Sequence, residues 1–343
     1  MTHTIMIASP LEAEHVAAIR DTHPDLQVLY DPALLPPTRY TADHKGIDGF
    51  TRTPLQQARW REMLAEADIL WDLPAASDLA HLPNLKWIQT TSTGVGPAVA
   101  SLGLADRDIL VTTARGVHAR PLAEFVFASL LSHWRELDRL RAEQRAHSWI
   151  RYCGEEVAGR HLVIIGAGDL ARGCARLARA FDMTTTAIAR DPARTRAHND
   201  LFDAVLPTAD MHRALATADA VVVTVPHTAQ TENLIDAAAF AAMPAGIAFV
   251  NIARGTVVDE DALIEACASG HIGFAALDVT RIEPLPRESP LWDMRNVLIS
   301  PHSASTVTAE NRRITEIFRH NLLCWIEGRP AEMRNVLDRK LLY

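Results

Sequence analysis

Three residues in the last third of the chain have the types that carbonyl and acid-base chemistry requires. Arg254 follows the apolar run IAFVNIA, Glu283 lies a few residues past GFAALD, and His302 follows VLISP. Arginine carries a permanent charge and a fork of donors that can grip a carboxylate bidentately and polarise a carbonyl. Histidine, with a reference pKa of ~6.5, exchanges a proton near neutral pH, and a carboxylate beside it favours the imidazolium. Glu283 is the carboxylate at hand. The set suits reduction of a 2-oxo acid: the cation holds the acid, and the imidazolium supplies a proton to the new alkoxide. Assistance of that kind contributes about 10²–10⁴ in rate. Singly, each residue has an ordinary reading, as a turn cap, a solvated loop charge or one of 15 histidines. Their shared position after three consecutive strand-like runs joins them, because ligands of open α/β sheets bind beyond the carboxyl ends of strands. Pro284 biases Glu283 away from helix, and Pro301 fixes its own φ just before His302.

A second constellation explains where the reducing equivalents would come from. The segment Gly166-Ala167-Gly168-Asp169-Leu170-Ala171 follows a strand-like run, HLVIIG, and opens a helical one. In that context Gly166 permits a tight turn, Gly168 lets backbone approach a pyrophosphate, and small Ala171 lets helix and strand pack closely. The free amides at the helix start, Asp169 and Leu170 among them, face the phosphates. Asp169 puts a negative charge near that anion, which Arg172 and the helix dipole can offset. At the end of the next strand stands Ala189-Arg190, where NAD enzymes carry an acid for the ribose hydroxyls. Arg190, with Arg194 or Arg196, suits a 2′-phosphate, so NADP is favoured; Asp191 keeps NAD open if the strand ends two residues later.

These residues need a scaffold, and the apolar pattern supplies one. At 343 residues and 48% hydrophobic, the chain is long enough for two domains. Strands are expected at Thr4–Ala8, Leu26–Tyr30, Asp68–Trp71, Leu85–Thr90 and Ile109–Thr113, with helices over Pro10–Arg20 and Trp60–Ala67. A single long helix is expected from Pro121 to about Arg145. The alternation then restarts: strands at 161–166, Thr184–Ala189, Ala220–Val225, Ile247–Ile252, Ile272–Leu277 and Val297–Ser300, with helices over Leu170–Phe181 and near Met211–Ala216. Continuous runs such as AVVVTV fit parallel strands covered on both faces. The fold class expected is α/β, with two doubly wound parallel-sheet domains. The last helix, Thr306–Glu327, crosses back to the first, giving a discontinuous domain of residues 1–113 and 305–343 around an inserted domain of 114–304.

Composition narrows the function classes. A net charge of -8 gives no broad basic surface, so no nucleic-acid partner is expected and small molecules are. Four dispersed cysteines lack metal-ligand spacing, so no metal site is expected and the thiols read as reduced and mostly buried. MTHTIMIASP has no signal-peptide pattern and no run approaches a membrane span, so a cytoplasmic location away from membranes is expected.

In order and spacing, GAGDLA, VPHTAQTENLI, NIARGTVVDEDAL, LDVTRIEPLPRESPLW and PHSA resemble the D-isomer-specific 2-hydroxyacid dehydrogenase family across essentially the whole chain. The resemblance implies a Rossmann cofactor domain inserted in a flavodoxin-like substrate domain, with Arg254, Glu283 and His302 catalytic. It implies that backbone amides of Val95 and Gly96, in TSTGVG, hold the substrate carboxylate together with Arg254. It places Asp278 at the nicotinamide carboxamide, Pro226, His227 and Thr228 beside the adenosine half, and Thr231, Ile252 and His302 among the cofactor contacts. Ala189, where NAD-specific members have Asp, and the ARGVHARPLAE segment are more similar to NADPH-linked glyoxylate and hydroxypyruvate reductases, which implies reduction as the working direction. Formate dehydrogenases replace the glutamate with glutamine, so Glu283 sets the chain apart from them; the end at Tyr343 leaves no room for the regulatory domain of many phosphoglycerate dehydrogenases. The family implies a homodimer in which Trp149 reaches the partner's pocket. The alternatives are a dinucleotide-sensing corepressor on the same fold and a related dehydrogenase of different substrate.

Overall fold

Strand alternation sends successive side chains to opposite faces, so a strand apolar at every position demands cover on both. In His161–Ile165, Leu162 and Ile164 join one apolar cluster while Val163 and Ile165 join another. Ala220–Val223 and Ile247–Asn251 divide likewise, with Val222 and Val250 on one side and Val221 and Phe249 on the other. The computed structural model, which describes residues 3–197 and 200–339, meets that demand with parallel sheets. The strands are β1 His3–Ile7, β2 Leu26–Leu29, β3 Ile69–Trp71, β4 Trp87–Gln89, β5 Leu110–Thr112, β6 His161–Ile165, β7 Thr184–Ala189, β8 Ala204–Pro207, β9 Ala220–Val223, β10 Ile247–Asn251, β11 Ile272–Leu277 and β12 Val297–Ile299.

The chain divides into two compact units, Met1–Val117 with Thr306–Tyr343, and His118–Ser305. The first carries a five-stranded sheet of order β2-β1-β3-β4-β5, the flavodoxin-like order. Met6, Leu70 and Ile88 face the helix Pro54–Glu66 through Trp60 and Leu64. That helix starts on a capping box: Thr53 Oγ1 accepts from Gln56 N at 3.3 Å, and Gln56 Oε1 accepts from Thr53 N at 2.9 Å. The opposite face, with Ile5, Ile7, Trp71 and Trp87, is covered by the helix Glu310–Ile326. Its Phe318 ring lies 5.4 Å from Trp71 and 5.1 Å from Trp87.

The second unit carries seven strands, β12-β11-β10-β9-β6-β7-β8, all paired in parallel. The order reverses between β6 and β9, which makes the carboxyl side of that point a natural ligand crevice. The helix Asp169–Ala180 buries Ala171, Cys174, Ala175 and Ala178 on one face, against the cluster shared with the helix Ala119–Trp134.

Several elements differ from the sequence expectation. The long helix over Pro121–Arg145 is two, Ala119–Trp134 and Leu137–Arg145, broken where Glu136 takes a left-handed φ of 52°. The last helix starts at Glu310 rather than Thr306, behind a turn closed by Glu310 N donating to Val307 O. Strand β8 and the helix Pro192–Ala197 occupy a stretch with no expected element. Met1, Thr2 and the final four residues, with Tyr343 among them, lie outside the described residues.

The thiols separate by environment. Cys174, Cys267 and Cys324 are buried and Cys153 is exposed. Burial pushes Cys174 and Cys267 up to about 12, so neither offers a thiolate nucleophile at pH 8. A thiol-titrating disulfide reagent at that pH should therefore label native protein rapidly at Cys153, with Cys174 and Cys267 reacting only after denaturant; rapid labelling of either in the native state would contradict this packing.

Candidate active site

Strands β10, β11 and β12 are neighbours, so the loops leaving their carboxyl ends emerge side by side. Glu283 and His302 meet there: His302 Nδ1 and Glu283 Oε2 are 2.7 Å apart. With Nδ1 so engaged, Nε2 is the ring nitrogen left for a substrate oxygen. Both side chains are partly open to solvent, 45% for His302 and 39% for Glu283. Glu283 is steadied by its other oxygen, which accepts from Thr280 N at 3.2 Å.

The turn carrying His302 is held from β11. Asp278, buried at the end of that strand, accepts through Oδ1 from Ser300 Oγ at 2.7 Å and from the amides of Ser303 and Ala304 at 2.9 Å each. His302 N donates to Asp278 O at 2.9 Å, and His302 itself sits at a left-handed φ of 52°. That conformation is uncommon outside glycine, and the Asp278 hydrogen bonds hold the turn that imposes it. Asp278 thus shows a positioning role that its sequence assignment to the carboxamide did not anticipate.

Arg254 occupies the adjacent loop. Its guanidinium donates to Ala253 O at 2.6 Å and makes no hydrogen bond to Glu283 or His302 among the described residues. The loop is fixed by buried Asn251, whose amide donates to Arg254 O at 3.2 Å and whose oxygen accepts from Ala253 N at 3.0 Å. Asn251 and Ser300 were missed in the sequence; a polar residue closing an otherwise apolar strand was the available signal.

The phosphate loop lies on the same sheet. Gly166 adopts φ +116°, and a Cβ there would stand 2.5 Å from Thr224 Oγ1, so the turn requires glycine. Gly168 starts the helix without a side-chain cap, and a Cβ on it would meet nothing within 4 Å. Open space before uncapped amides fits a bound pyrophosphate. Asp169 pairs with Arg172, while Leu170 packs on the core. Beyond β7, Arg190 is exposed, but Asp191 is engaged in starting the next helix: its Oδ1 accepts from Arg194 N at 2.9 Å, and its carbonyl accepts from Thr195 N. Arg196 donates to Val205 O.

After β9, Pro226 and His227 are exposed, and Thr231 Oγ1 closes their loop by donating to Pro226 O at 2.7 Å and accepting from Thr228 N at 2.8 Å. Ile252 is core, with its amide directed to Val223 O. Val95 and Gly96 belong to the other unit, at the start of the helix Gly96–Ser101 beyond β4. Trp149 is 96% exposed rather than core. Among the described residues there is no cluster of three His, Cys, Asp or Glu able to hold a metal and no helix long and apolar enough to cross a membrane.

This arrangement has known counterparts. Residues 127–304 match the model of the D-isomer specific 2-hydroxyacid dehydrogenase, NAD binding domain. The chain belongs to the D-isomer specific 2-hydroxyacid dehydrogenase family. It is 35% identical over 286 residues to D-3-phosphoglycerate dehydrogenase of Mycobacterium leprae, covering 79% of this chain and 51% of that one. It is 31% identical over 266 residues to glyoxylate reductase of Thermofilum pendens, covering 76% and 77%. The crystal structure of a family member from Xanthobacter autotrophicus Py2, in complex with NADPH and MES, superposes with a TM-score of 0.77 at 28% identity over all of both chains. The chain spans about half the length of the phosphoglycerate dehydrogenases it matches.

Proposed function

We propose that the protein is a nicotinamide-dependent reductase of small 2-oxo acids of the glyoxylate or hydroxypyruvate type. The observation that carries this reading is the His302–Glu283 hydrogen bond at a strand-end edge shared with a phosphate loop. When bound, the nicotinamide supplies the hydride. His302 holds the proton at Nε2 and gives it to the substrate oxygen as charge develops there, while Glu283, bonded at Nδ1, stabilises the imidazolium and fixes the ring. Arg254 polarises the carbonyl and pairs with the carboxylate. Pro226, Thr231, Ile252 and Asp278 are assigned to the walls of the cofactor site.

NADP is the assigned cofactor. Arg190 follows β7 where a 2′-phosphate would lie, and Asp191 is occupied in starting a helix, which weakens its claim on a ribose. The glyoxylate reductase relative supports the substrate class. The phosphoglycerate dehydrogenase relatives support a second reading, oxidation of a phosphorylated 2-hydroxy acid. The assembly assigned is a cytoplasmic homodimer with exposed Trp149 meeting the partner.

A panel decides between them: purified protein with NADPH and glyoxylate, hydroxypyruvate, pyruvate or 2-oxobutyrate, and with NAD⁺ or NADP⁺ and 3-phosphoglycerate. Loss of nicotinamide absorbance with the first two acids is expected. Turnover of 3-phosphoglycerate alone would favour the second reading, and no turnover anywhere would remove the reductase assignment. Arg190→Ala should weaken NADPH binding by about tenfold or more and NADH by less than about twofold, given the strength of a charge-assisted phosphate contact; equal losses would refute the role of Arg190.

A further inference from the structure

Asp169 sets a carboxylate at the very end of the helix where a dinucleotide's pyrophosphate would approach, and anion binding there is opposed unless another group answers that charge. The structure supplies one: Arg172, a turn further on, donates to Asp169 Oδ1 through a terminal guanidinium nitrogen. A partly exposed i,i+3 pair does little for helix stability, so stability alone gives slight account of it. The bond uses only some of the five donors of a guanidinium. Both side chains remain about one-third open, 36% for Arg172 and 30% for Asp169. Because the pair is anchored on Asp169, the guanidinium stays within about 6 Å of that residue's own amide, from side-chain length and hydrogen-bond reach. That amide belongs to the uncapped turn after Gly168, with open space before it.

We propose that Arg172 is a direct ligand of the cofactor's pyrophosphate and that Asp169 is its positioning residue. Asp169 holds one edge of the guanidinium, and the remaining donors turn to the phosphate oxygens. The repulsion between Asp169 and the pyrophosphate is then screened by the cation between them. The inference rests on dinucleotide binding at this loop and on no particular substrate.

The test is a double-variant cycle on the full-length protein, read as binding of ADP-ribose, which carries the pyrophosphate, and of adenosine, which does not. Arg172→Gln should weaken ADP-ribose about tenfold, leave adenosine within twofold, and reduce the salt dependence of ADP-ribose binding. Asp169→Asn separates the alternatives. If Arg172 touches the phosphate and Asp169 positions it, Arg172→Gln still costs about threefold to fivefold in the Asp169→Asn background, less than the tenfold seen with Asp169 present, and an undiminished tenfold would remove the positioning role of Asp169. If Arg172 serves only to neutralise Asp169, that cost falls below twofold and the proposal is overturned. Unmodified protein with no measurable affinity for ADP-ribose would overturn the reading of the loop itself. Melting temperatures within about 2 °C of the unmodified protein are expected for both variants, since both side chains lie partly in solvent.

Discussion

Replacing His302 with alanine should lower kcat by about 10²–10⁴, the range for loss of a general acid, while the affinity for NADPH stays within about threefold. The expectation follows from where the ring is anchored. Nδ1 is committed to Glu283 at 2.7 Å, so in the proposed mechanism the proton given to the substrate sits on Nε2. The backbone complicates a simple comparison, because His302 occupies a left-handed conformation that alanine tolerates poorly. His302→Asn is the matching variant: asparagine accepts that conformation more readily yet has no titratable nitrogen. Both variants should be equally slow, with the asparagine form nearer the unmodified protein in melting temperature. An asparagine variant with full activity would remove proton transfer by His302 from the mechanism. Glu283→Gln keeps an acceptor for Nδ1 and loses only the charge, so a smaller fall, about tenfold to a hundredfold, is expected from weaker stabilisation of the imidazolium.

Much of this site is legible in the sequence. Arg254, Glu283 and His302 stand out because three apolar runs end just before them, and strand ends of a parallel sheet share an edge. The pairing of Glu283 with His302 also follows from chemical type. What resisted reading was whatever depends on distant chain segments. Asp278 closes the turn of Ser303 and Ala304 across 25 and 26 residues, and no local periodicity encodes such a bond. The break at Glu136 was hidden because no glycine or proline marks it. Asp191 is different: an aspartate directly before Pro192 is a helix-start signal legible in the sequence, and its carboxylate accepts from Arg194 N.

Gly255→Ala should be the most damaging single methyl addition in this site, and its cause lies between two loops rather than in either. A Cβ on Gly255 would stand 1.9 Å from Thr280 O, 2.0 Å from Thr280 C and 2.4 Å from Arg281 N. These are backbone atoms that no rotamer change can move aside, so the loops after β10 and β11 must separate. Overpacking in a well-packed region typically costs about 1–3 kcal/mol, and a backbone collision belongs at the upper end. A loss of about 3 kcal/mol corresponds to a fall of about 6–12 °C in melting temperature for a domain of this size. The shift would not stay local. Thr280 N donates to Glu283 Oε1, and Glu283 Oε2 binds His302, so displacement of Thr280 carries the acid-base pair with it. Arg254, next to Gly255 in the chain, moves at the same time. A misplacement of about 1 Å at reacting groups costs about 10² in rate, so kcat should fall by that factor even in the fraction that remains folded at 25 °C. The phosphate loop hangs on β6, two strands away from β10, so ADP-ribose affinity should stay within about threefold. Gly154→Ala serves as the comparison, since its nearest neighbour would be an ordinary 3.4 Å away and its melting temperature should hardly change. Unchanged stability and turnover in Gly255→Ala would mean that the loops after β10 and β11 do not touch, and the coupling of Arg254 to the Glu283–His302 pair would fall with them.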